Sequence, residues 1–454
     1  MERVAIVGAG PGGMFTAYEL VKDKVLKHKF DITVIEKSGH VGGSGGRIDG
    51  KFNYHPEVGF WPPWLIGYCS KERAEEILNQ IGETFRRYVK PDVYYDEEKS
   101  KELKAKSIKA RVTFIPIRQE HIGSERLPSA MKKFKKDLEK EGVKFRLKTK
   151  AENLEMENGR IVKILTDKGP IKCDHAVLAP GRNSNYWLKQ QCDKFGIETR
   201  NHPLDIGVRV EVLNEIIADI VENYRVHDPK FHIYTKRNDD LVRTFCVCYK
   251  GYVTPDPYIS PETVGEGPFK MNLTGVNGHS YSKHGAEPSA NTNFALLARH
   301  PLTEPQENTA LLGYGYAFVS NILGGRKPLI QRLKDIEDGR RSTWSRIGKS
   351  YVIPTLNDVT PGDISMAYPY RIVTDILESL DKLERVIPGV GSDSTLLYAP
   401  EIKFYSMRIE TNKTLQTVVP NIFVAGDGAG VSRGITLAAA TGMIAANGIK
   451  SLIK

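Results

Sequence analysis

The chain is poor in cysteine: Cys69, Cys173, Cys192, Cys246 and Cys248 are odd in number and scattered through 454 residues. That set is no disulfide framework, and with no pair of Cys-x-x-Cys motifs it offers no zinc-type site, so no metal is expected. Long hydrophobic runs are missing too. The most apolar late segment, Gly434 to Ile449, is rich in Ala and Gly, carries Asn447 and is too short to span a bilayer. Met1-Glu2-Arg3 passes directly into Val4 to Val7 without a small-residue cleavage site, which gives the expectation of a cytoplasmic protein with no membrane span. Neither charge sign dominates, since 65 Lys and Arg face 55 acids for a net charge of +10. Such a surplus favours anionic ligands in general without pointing to nucleic acid. No internal repeat or low-complexity segment is present.

What the sequence does contain is an ordinary globular balance, 40% apolar and 26% charged, at a length beyond one ordinary core. Two or three domains are expected, one of them built from separated segments. The first unit is a strand, a glycine turn, a helix and a strand: "RVAIVGAGPGGMFTAYELV" followed by "DITVIEK". Met14, Ala17, Leu20 and Val21 share one helical face, while Ile32 and Val34 alternate as in a strand. Residues 71–88 predict an amphipathic helix with Ala74, Ile77, Leu78, Ile81 and Phe85 inward. "KSKELKAKSIKAR" at 99–111 is read as a solvated face, because no aromatics interleave its lysines for stacking on RNA. A helix is predicted from Leu127 to Lys140, and Asn158-Gly159 signals a hairpin. "HAVLAPG" at 175–181 is a second apolar run ending in Pro-Gly; from Asp205 the texture turns β-rich, with a mixed helical stretch to about 395.

"GAGPGG", Gly8 to Gly13, fits Gly-x-Gly-x-x-Gly between a strand and a helix, the context that gives this pattern meaning. Gly8 permits the tight turn, Gly10 the backbone approach to a pyrophosphate and Gly13 close helix packing, with Pro11 and Gly12 between them. Glu36, followed by Lys37, ends the second strand where an acid accepts hydrogen bonds from ribose hydroxyls and disfavours a 2′-phosphate. A second acid stands in "PNIFVAGDGAGVSRGITLAAATG", where an apolar run stops at Gly426-Asp427 and a small-residue helix opens near Gly434, Ile435 and Thr436. A carboxylate at a strand tip suits a ribitol hydroxyl, and a helix N-terminus suits the flavin edge where negative charge gathers on reduction. Together these favour FAD over NAD as the cofactor.

With these motifs the chain resembles the FAD-dependent dehydrogenases, also called NAD(FAD)-utilising dehydrogenases, of the glutathione-reductase-like flavoprotein superfamily. "VGAGPGG", "VIEK", "HAVLAPG" and "TVVPNIFVAGDGAG" carry the superfamily likeness; "HIGSERL" at 121, "DIGVRVE" at 205, "FCVCYKGYV" at 245, "VNGHS" at 276 and "PEIKFY" at 400 carry the closer one. The resemblance implies a backbone contact from Ala151 to adenine, a role for Gly181 at the end of "HAVLAPG", and approaches to the pyrophosphate and flavin by Arg126 and by the loop "VGGSGGRIDG" with its Arg47. The fold class expected is α/β, with a Rossmann-like FAD-binding domain from residues 1–60, 110–204 and 396–454, a second α+β, β-rich substrate domain at 205–395, and a helical insertion at 61–109.

In the second domain the polar candidates are Arg209, Cys246, Cys248, Asn277, His279, Asn291 and Asn293, with Asn277, His279 and Cys246 as the catalytic set. His279 is the candidate proton carrier, since an imidazole exchanges protons near neutral pH; a histidine beside an Asn277-Gly278 hairpin turn is the structural alternative. Cys246 and Cys248, two apart on a strand, are expected to stand parallel at the long end of disulfide reach and to remain thiols. "GYGYAF" at 313 and "IPGVGSD" at 387 lack the third glycine and the strand-helix setting, so no second nicotinamide domain is encoded. The expectation is an FAD-dependent oxidoreductase acting on a small organic substrate, with NAD(P)H or a redox protein as transient partner and no stable nucleic-acid complex. A flavoprotein electron carrier and a flavin-dependent RNA-modifying enzyme are the alternatives.

Overall fold

The computed structural model describes all residues except 44–49, 57–63, 124, 259–271, 281–286, 301–308, 404–406 and 454. The chain divides into two compact units, one of residues 1–93, 120–202 and 406–454, the other of residues 94–119 and 203–405. The segment 61–109, expected as one insertion, is therefore divided. Its first helix, Lys71–Arg86, belongs to the first unit, and its second, Glu97–Lys109, belongs to the other with Leu103 buried in that unit's core.

The first unit is built on five parallel strands in the order Lys144–Arg146, Phe30–Ile35, Glu2–Val7, His175–Leu178, Ile422–Val424. Numbered by sequence, that order is 3-2-1-4-5, the doubly wound arrangement in which direction reverses beside the first strand. Val4, Ile6, Ile32, Val34, Ala176 and Phe423 are buried because a parallel sheet is covered on both faces, which is why the strands read as short apolar runs. The connection from the third strand to the fourth is an antiparallel three-stranded sheet. Its Asn158-Gly159 turn takes positive φ at both residues, 51° and 73°, as the sequence signal requires.

Two helices pack closely over the sheet. The first, Pro11–Lys22, meets the C-terminal helix, Gly434–Ser451, at Gly12 and Gly442. A Cβ on Gly442 would sit 2.1 Å from the Gly12 carbonyl oxygen, so the backbones touch only because neither position has a side chain. The Thr16 hydroxyl lies 2.9 Å from the Gly12 carbonyl and 3.1 Å from that of Gly442, and a buried Lys450–Glu19 ion pair at 3.0 Å closes the far end. The predicted Leu127–Lys140 helix buries Ala130, Phe134 and Leu138, with Phe134 against Phe15 at 5.1 Å between ring centroids.

The second unit holds an eight-stranded sheet in the order Thr360–Pro361, Leu329–Arg332, Leu396–Lys403, Leu204–Leu213, Asn291–His300, Leu241–Cys248, Lys230–Tyr234, Thr113–Ile115. All its pairings are antiparallel except the first. A separate antiparallel pair joins Tyr252–Tyr258 to Leu273–His279. The helix Tyr370–Glu384 buries Ile372, Ile376, Leu380 and Leu383 in this unit's core.

Candidate functional site

Register places the motif residues of the first unit at one edge. Val7 is paired with both Ile35 and Leu178, and Leu178 with Val424, so the residues that follow these four ends leave the sheet side by side. Those residues are Gly8, Glu36, Ala179 to Gly181, and Ala425 to Asp427. In a doubly wound sheet the crevice outside the carboxyl ends, beside the reversal in strand order, is where ligands bind.

The glycine turn is tight for reasons visible in its contacts. Gly8 has φ +103°, its N–H donates to the Ile35 carbonyl at 2.8 Å, and a Cβ there would lie 2.1 Å from the Ala179 carbonyl oxygen. A Cβ on Gly13 would lie 1.9 Å from the Gly8 carbonyl oxygen, which locks turn to helix. Gly10 is the extended N-cap, followed by Pro11 in the first turn, and a Cβ on it would meet nothing within 4 Å. Its open side is where the pattern predicts a pyrophosphate.

Glu36 is buried, and its carboxylate already grips the turn: it accepts the Ala9 N–H at 2.9 Å and the Ser38 N–H at 2.8 Å. The sequence assigned it only to a ribose; the latch on Ala9 is a second task. A carboxylate has about four acceptor positions, so two such bonds leave capacity for ribose hydroxyls. Beside it run Arg146 to Thr149, through bonds of 2.9 Å from the Glu36 N–H to the Arg146 carbonyl and from the Thr149 N–H to the Glu36 carbonyl. Ala151, expected against adenine, opens an antiparallel strand opposite Thr166. The Lys37 ammonium lies 3.3 Å from the Ser184 hydroxyl.

Asp427 is partly buried and acts first as a cap. Its carboxylate accepts the Ser432 hydroxyl at 2.7 Å and the N–H of Gly434, the first residue of the C-terminal helix, at 3.0 Å. Gly426, at φ +79°, donates its N–H to the Thr441 hydroxyl at 2.9 Å, tying the strand tip to the same helix. Gly181 packs behind this tip, where a Cβ on Gly428 would approach its carbonyl oxygen to 2.6 Å. Gly434 is exposed, Ile435 half-buried and Thr436 buried in the first helical turn.

Arg126 does not serve as expected. Its guanidinium donates to the Ile122 carbonyl at 2.5 Å and the Lys90 carbonyl at 3.0 Å, and pairs with Asp92 at 3.4 Å, so it braces the start of the Leu127–Lys140 helix rather than reaching for a phosphate. Arg47 lies outside the described residues. Among the described residues no group of three or more His, Cys, Asp or Glu is arranged to hold a metal, and no helix is long and apolar enough to cross a membrane.

Residues 6–60 match the family of NAD(P)-binding Rossmann-like domains. Among proteins of similar sequence is an uncharacterized protein of Clostridium beijerinckii, 24% identical over 342 residues, which is 71% of this chain. The match spans 60% of that relative's length. Similar solved structures include a glycine oxidase from Bacillus cereus, at 12% identity, TM-score 0.41, covering 100% of this chain and 96% of that one. An L-proline dehydrogenase from P. horikoshii has 14% identity and TM-score 0.40, covering 99% and 93% of the two chains. Both TM-scores fall below 0.5, and the fold assignment rests on the chain's own strand order and on the match of its first segment.

In the second unit the structure gathers some of the polar candidates and separates others. Arg209, Asn293, Cys246 and Cys248 come together on adjacent strands, and Glu401, unforeseen, completes the row. Arg209 is fully buried; it donates from Nε to the Asn293 side-chain oxygen at 2.8 Å and from Nη2 to the Cys246 carbonyl at 2.7 Å and the Cys248 sulfur at 3.2 Å. Its Nη1 faces Glu401 at 3.7 Å, and Lys403 pairs with Glu401 at 2.5 Å. Burial works against the Arg209 charge, but the Glu401 carboxylate leads the neighbours that outweigh it and raise the guanidinium's pKa above its ordinary value.

The two cysteines do not stand parallel as an extended strand would hold them. Cys246 has φ +50°, and the register with the Asn291–His300 strand slips by one residue between Phe245 and Cys248. This bulge turns the sulfurs toward each other, 3.8 Å apart. Asn277-Gly278 is no hairpin turn but the interior of a strand, opposite Thr254 and Val253. Gly278 is required there by packing, because a Cβ would overlap Arg209 Nη2 at 1.6 Å. Asn277 bonds Asp256 at 3.4 Å, Asn291 donates to the Ile353 carbonyl at 2.7 Å, and the exposed His279 stands at the strand's end. A further group missed from sequence is Glu211, a buried carboxyl raised in pKa by that burial and held by the Tyr398 and Thr355 hydroxyls, each at 2.5 Å. The alternation of Glu401 and Lys403 in "PEIKFY" was the available signal for the first of these.

Proposed function

We propose that this chain is an FAD-dependent oxidoreductase of the glutathione-reductase-like kind, acting on an organic substrate. The observation that supports it is the in-register edge at which a Gly-x-Gly-x-x-Gly turn, Glu36, Gly181 and the Asp427-capped helix leave adjacent parallel strands. A nicotinamide dinucleotide needs only the first two. The residues fit the larger group: Cβ atoms added at Gly10, Gly181 and Gly434 would meet nothing within 4 Å, whereas those at Gly8, Gly13, Gly428 and Gly442 would strike backbone. Open glycines thus alternate with packed ones, as in a cradle whose walls are rigid and whose floor is clear.

In this assignment Gly8 to Gly13 and the N-terminus of the Pro11–Lys22 helix hold the pyrophosphate, and Glu36 holds the adenosine ribose. Asp427 holds a ribityl hydroxyl, its carboxylate oriented in advance by Ser432 and Gly434. The start of the Gly434–Ser451 helix directs its dipole toward developing negative charge. Bound FAD supplies exchange of a hydride or electron pair with the substrate. His279, exposed at the end of its strand, is the candidate carrier of the accompanying proton. The RNA-modifying alternative draws no support from the lysine-rich helix, whose Lys99 and Lys101 are paired with Glu102 and Glu97 on the same helix.

The test is the pigment. Protein purified without added cofactor is expected to carry a flavin absorbance and to release intact FAD on denaturation. Release of FMN or of a nicotinamide dinucleotide would overturn the assignment.

A further inference from the structure

The buried row of the second unit contains reactive groups that the dinucleotide site does not use. Three of the five cysteines are ordinary structural thiols: burial pushes Cys173 and Cys192 up to about 12 and raises Cys69 as well, which keeps them protonated and inert. Cys248 differs in having a guanidinium nitrogen 3.2 Å from its buried sulfur. A cation donating to sulfur favours the thiolate, the nucleophilic form. Cys246, 3.8 Å away, is only partly buried.

The guanidinium cannot drift from this position. Asn293 fixes Nε, the Cys246 carbonyl shares Nη2, Glu401 faces Nη1, and Gly278 presses on the opposite side with no room for even a methyl group. The left-handed backbone at Cys246 converts a strand spacing unsuited to a disulfide into a convergent pair. Positive φ at a non-glycine residue is a strained conformation that tends to mark functional positions.

We propose that Cys246 and Cys248 are a redox-active dithiol that reduces low-molecular-weight disulfides, with Arg209 as its positioning residue. The thiolate of Cys246 attacks one sulfur of the incoming disulfide, forming a mixed disulfide and breaking the substrate S–S bond with release of the first thiol. Cys248, held as thiolate by Arg209, attacks the Cys246 sulfur, forming the internal disulfide and releasing the second thiol. Two electrons pass from the protein dithiol to the substrate; each cysteine has given its proton to solvent before it attacks, and each sulfur of the substrate leaves as a thiolate that takes a proton back from solvent. Excess small thiol runs the same exchange backwards and restores the dithiol. This chemistry stands apart from the flavin assignment and does not require it.

The experiment uses the full chain, as purified, with oxidised glutathione as the probe, alkylation of remaining thiols, and peptide mass spectrometry. Wild-type protein is expected to lose two thiols and yield a bond linking 246 to 248, reversed by reduced glutathione. Cys248→Ser is expected to accumulate a glutathione adduct on Cys246, and Cys246→Ser to form neither product. The role of Arg209 is tested by the pH profile of the exchange: in Gly278→Ala or Arg209→Lys the rate near pH 6 falls about tenfold or more and recovers at alkaline pH, because the thiolate then forms without help. A wild-type chain that keeps all five thiols overturns the proposal. So does a stable Cys246 adduct with no internal bond. A folded variant whose loss of rate is the same at every pH removes Arg209 from it.

Discussion

Replacing Glu36 by Gln isolates a contribution that can be measured with no ligand present. The carboxylate accepts two backbone N–H groups, from Ala9 at 2.9 Å and Ser38 at 2.8 Å, and it is buried. An amide keeps one acceptor oxygen and turns an NH₂ toward the other donor. One charge-assisted bond, about 1.5–3 kcal/mol, becomes a neutral one worth about 1 kcal/mol. The other is lost, leaving a backbone donor unsatisfied at about 1–3 kcal/mol. Relaxation recovers part of this, because the Ser38 N–H is only partly buried and can turn to water. The expected loss is therefore about 2–4 kcal/mol in urea unfolding of the cofactor-free protein. ADP binding, followed by calorimetry, should weaken about tenfold or more, since a neutral acceptor meets the ribose and the turn is no longer held. The controlling comparison is between these two measurements. If cofactor-free stability stays within about 0.5 kcal/mol of wild type while ADP affinity falls, Glu36 serves the ligand alone and the latch on Ala9 has no energetic weight.

The other expectations follow from single contacts. Asp427→Ala removes two accepting bonds at the start of the last helix, so unfolding free energy should drop by about 1–3 kcal/mol and FAD retention by about one to two decades; unchanged FAD affinity in a folded variant would refute the ribityl role. Gly442→Ala drives a methyl group into the Gly12 carbonyl, 2.1 Å from the added carbon, and should destabilise the protein by about 2 kcal/mol or more with loss of bound cofactor, whereas Gly159→Ala, with nothing within 4 Å, should cost only the strain of its positive φ. Burial, with Asp240 alongside, raises the Asp375 carboxyl to about 6, so its native form takes up a proton that the unfolded chain has already lost, and stability falls as pH rises from about 4 to 6. Asp375→Asn keeps the acceptor for Asn238 and should be more stable than wild type above pH 6, with the difference vanishing below pH 4 in urea titrations; a pH-independent difference would refute this. His279→Gln should leave FAD content and melting temperature unchanged while slowing flavin reduction by substrate about a hundredfold; unaltered kinetics would exclude the imidazole.

Much of the first unit was legible because its determinants are local. The glycine turn, the periodic helix, the Asn158-Gly159 hairpin and the apolar strands each carry their signal within a few residues. The strand-tip acid at 427 was legible for the same reason, although its bond to Gly434 depends on how the chain re-enters the helix seven residues later. The failures share a different cause. Arg126 looked available because nothing nearby in sequence reveals that the Lys90 carbonyl and Asp92 would claim it. Asn277-Gly278 carried a turn signal, but tertiary packing decided the matter: the glycine was needed to admit a guanidinium, not to reverse the chain.

The cysteine pair shows why a spacing rule gives way to a backbone conformation. Two residues apart on a regular strand, the sulfurs would stand parallel, and that premise failed at one residue, where Cys246 adopts φ +50° in a bulge. Nothing in the composition of "FCVCYKG" encodes the bulge. It arises where Leu241–Cys248 must pair with Asn291–His300 while accommodating Arg209 from the next strand over, whose Nη2 needs the Cys246 carbonyl. Burying that guanidinium is costly, and a hydrophobic substitute of similar volume is often as stable or more so. The row nevertheless retains the Arg209 and Glu401 charges with a 3.7 Å gap between them, leaving Arg209 Nη1 and both Glu401 oxygens without hydrogen bonds among the described residues and relying on Lys403 to balance the acid. A fold selected for stability alone has no need of that arrangement. A thiolate at Cys248 does need it, because its negative charge adds to that of Glu401, and the two cations on either side then bring the buried cluster to neutrality.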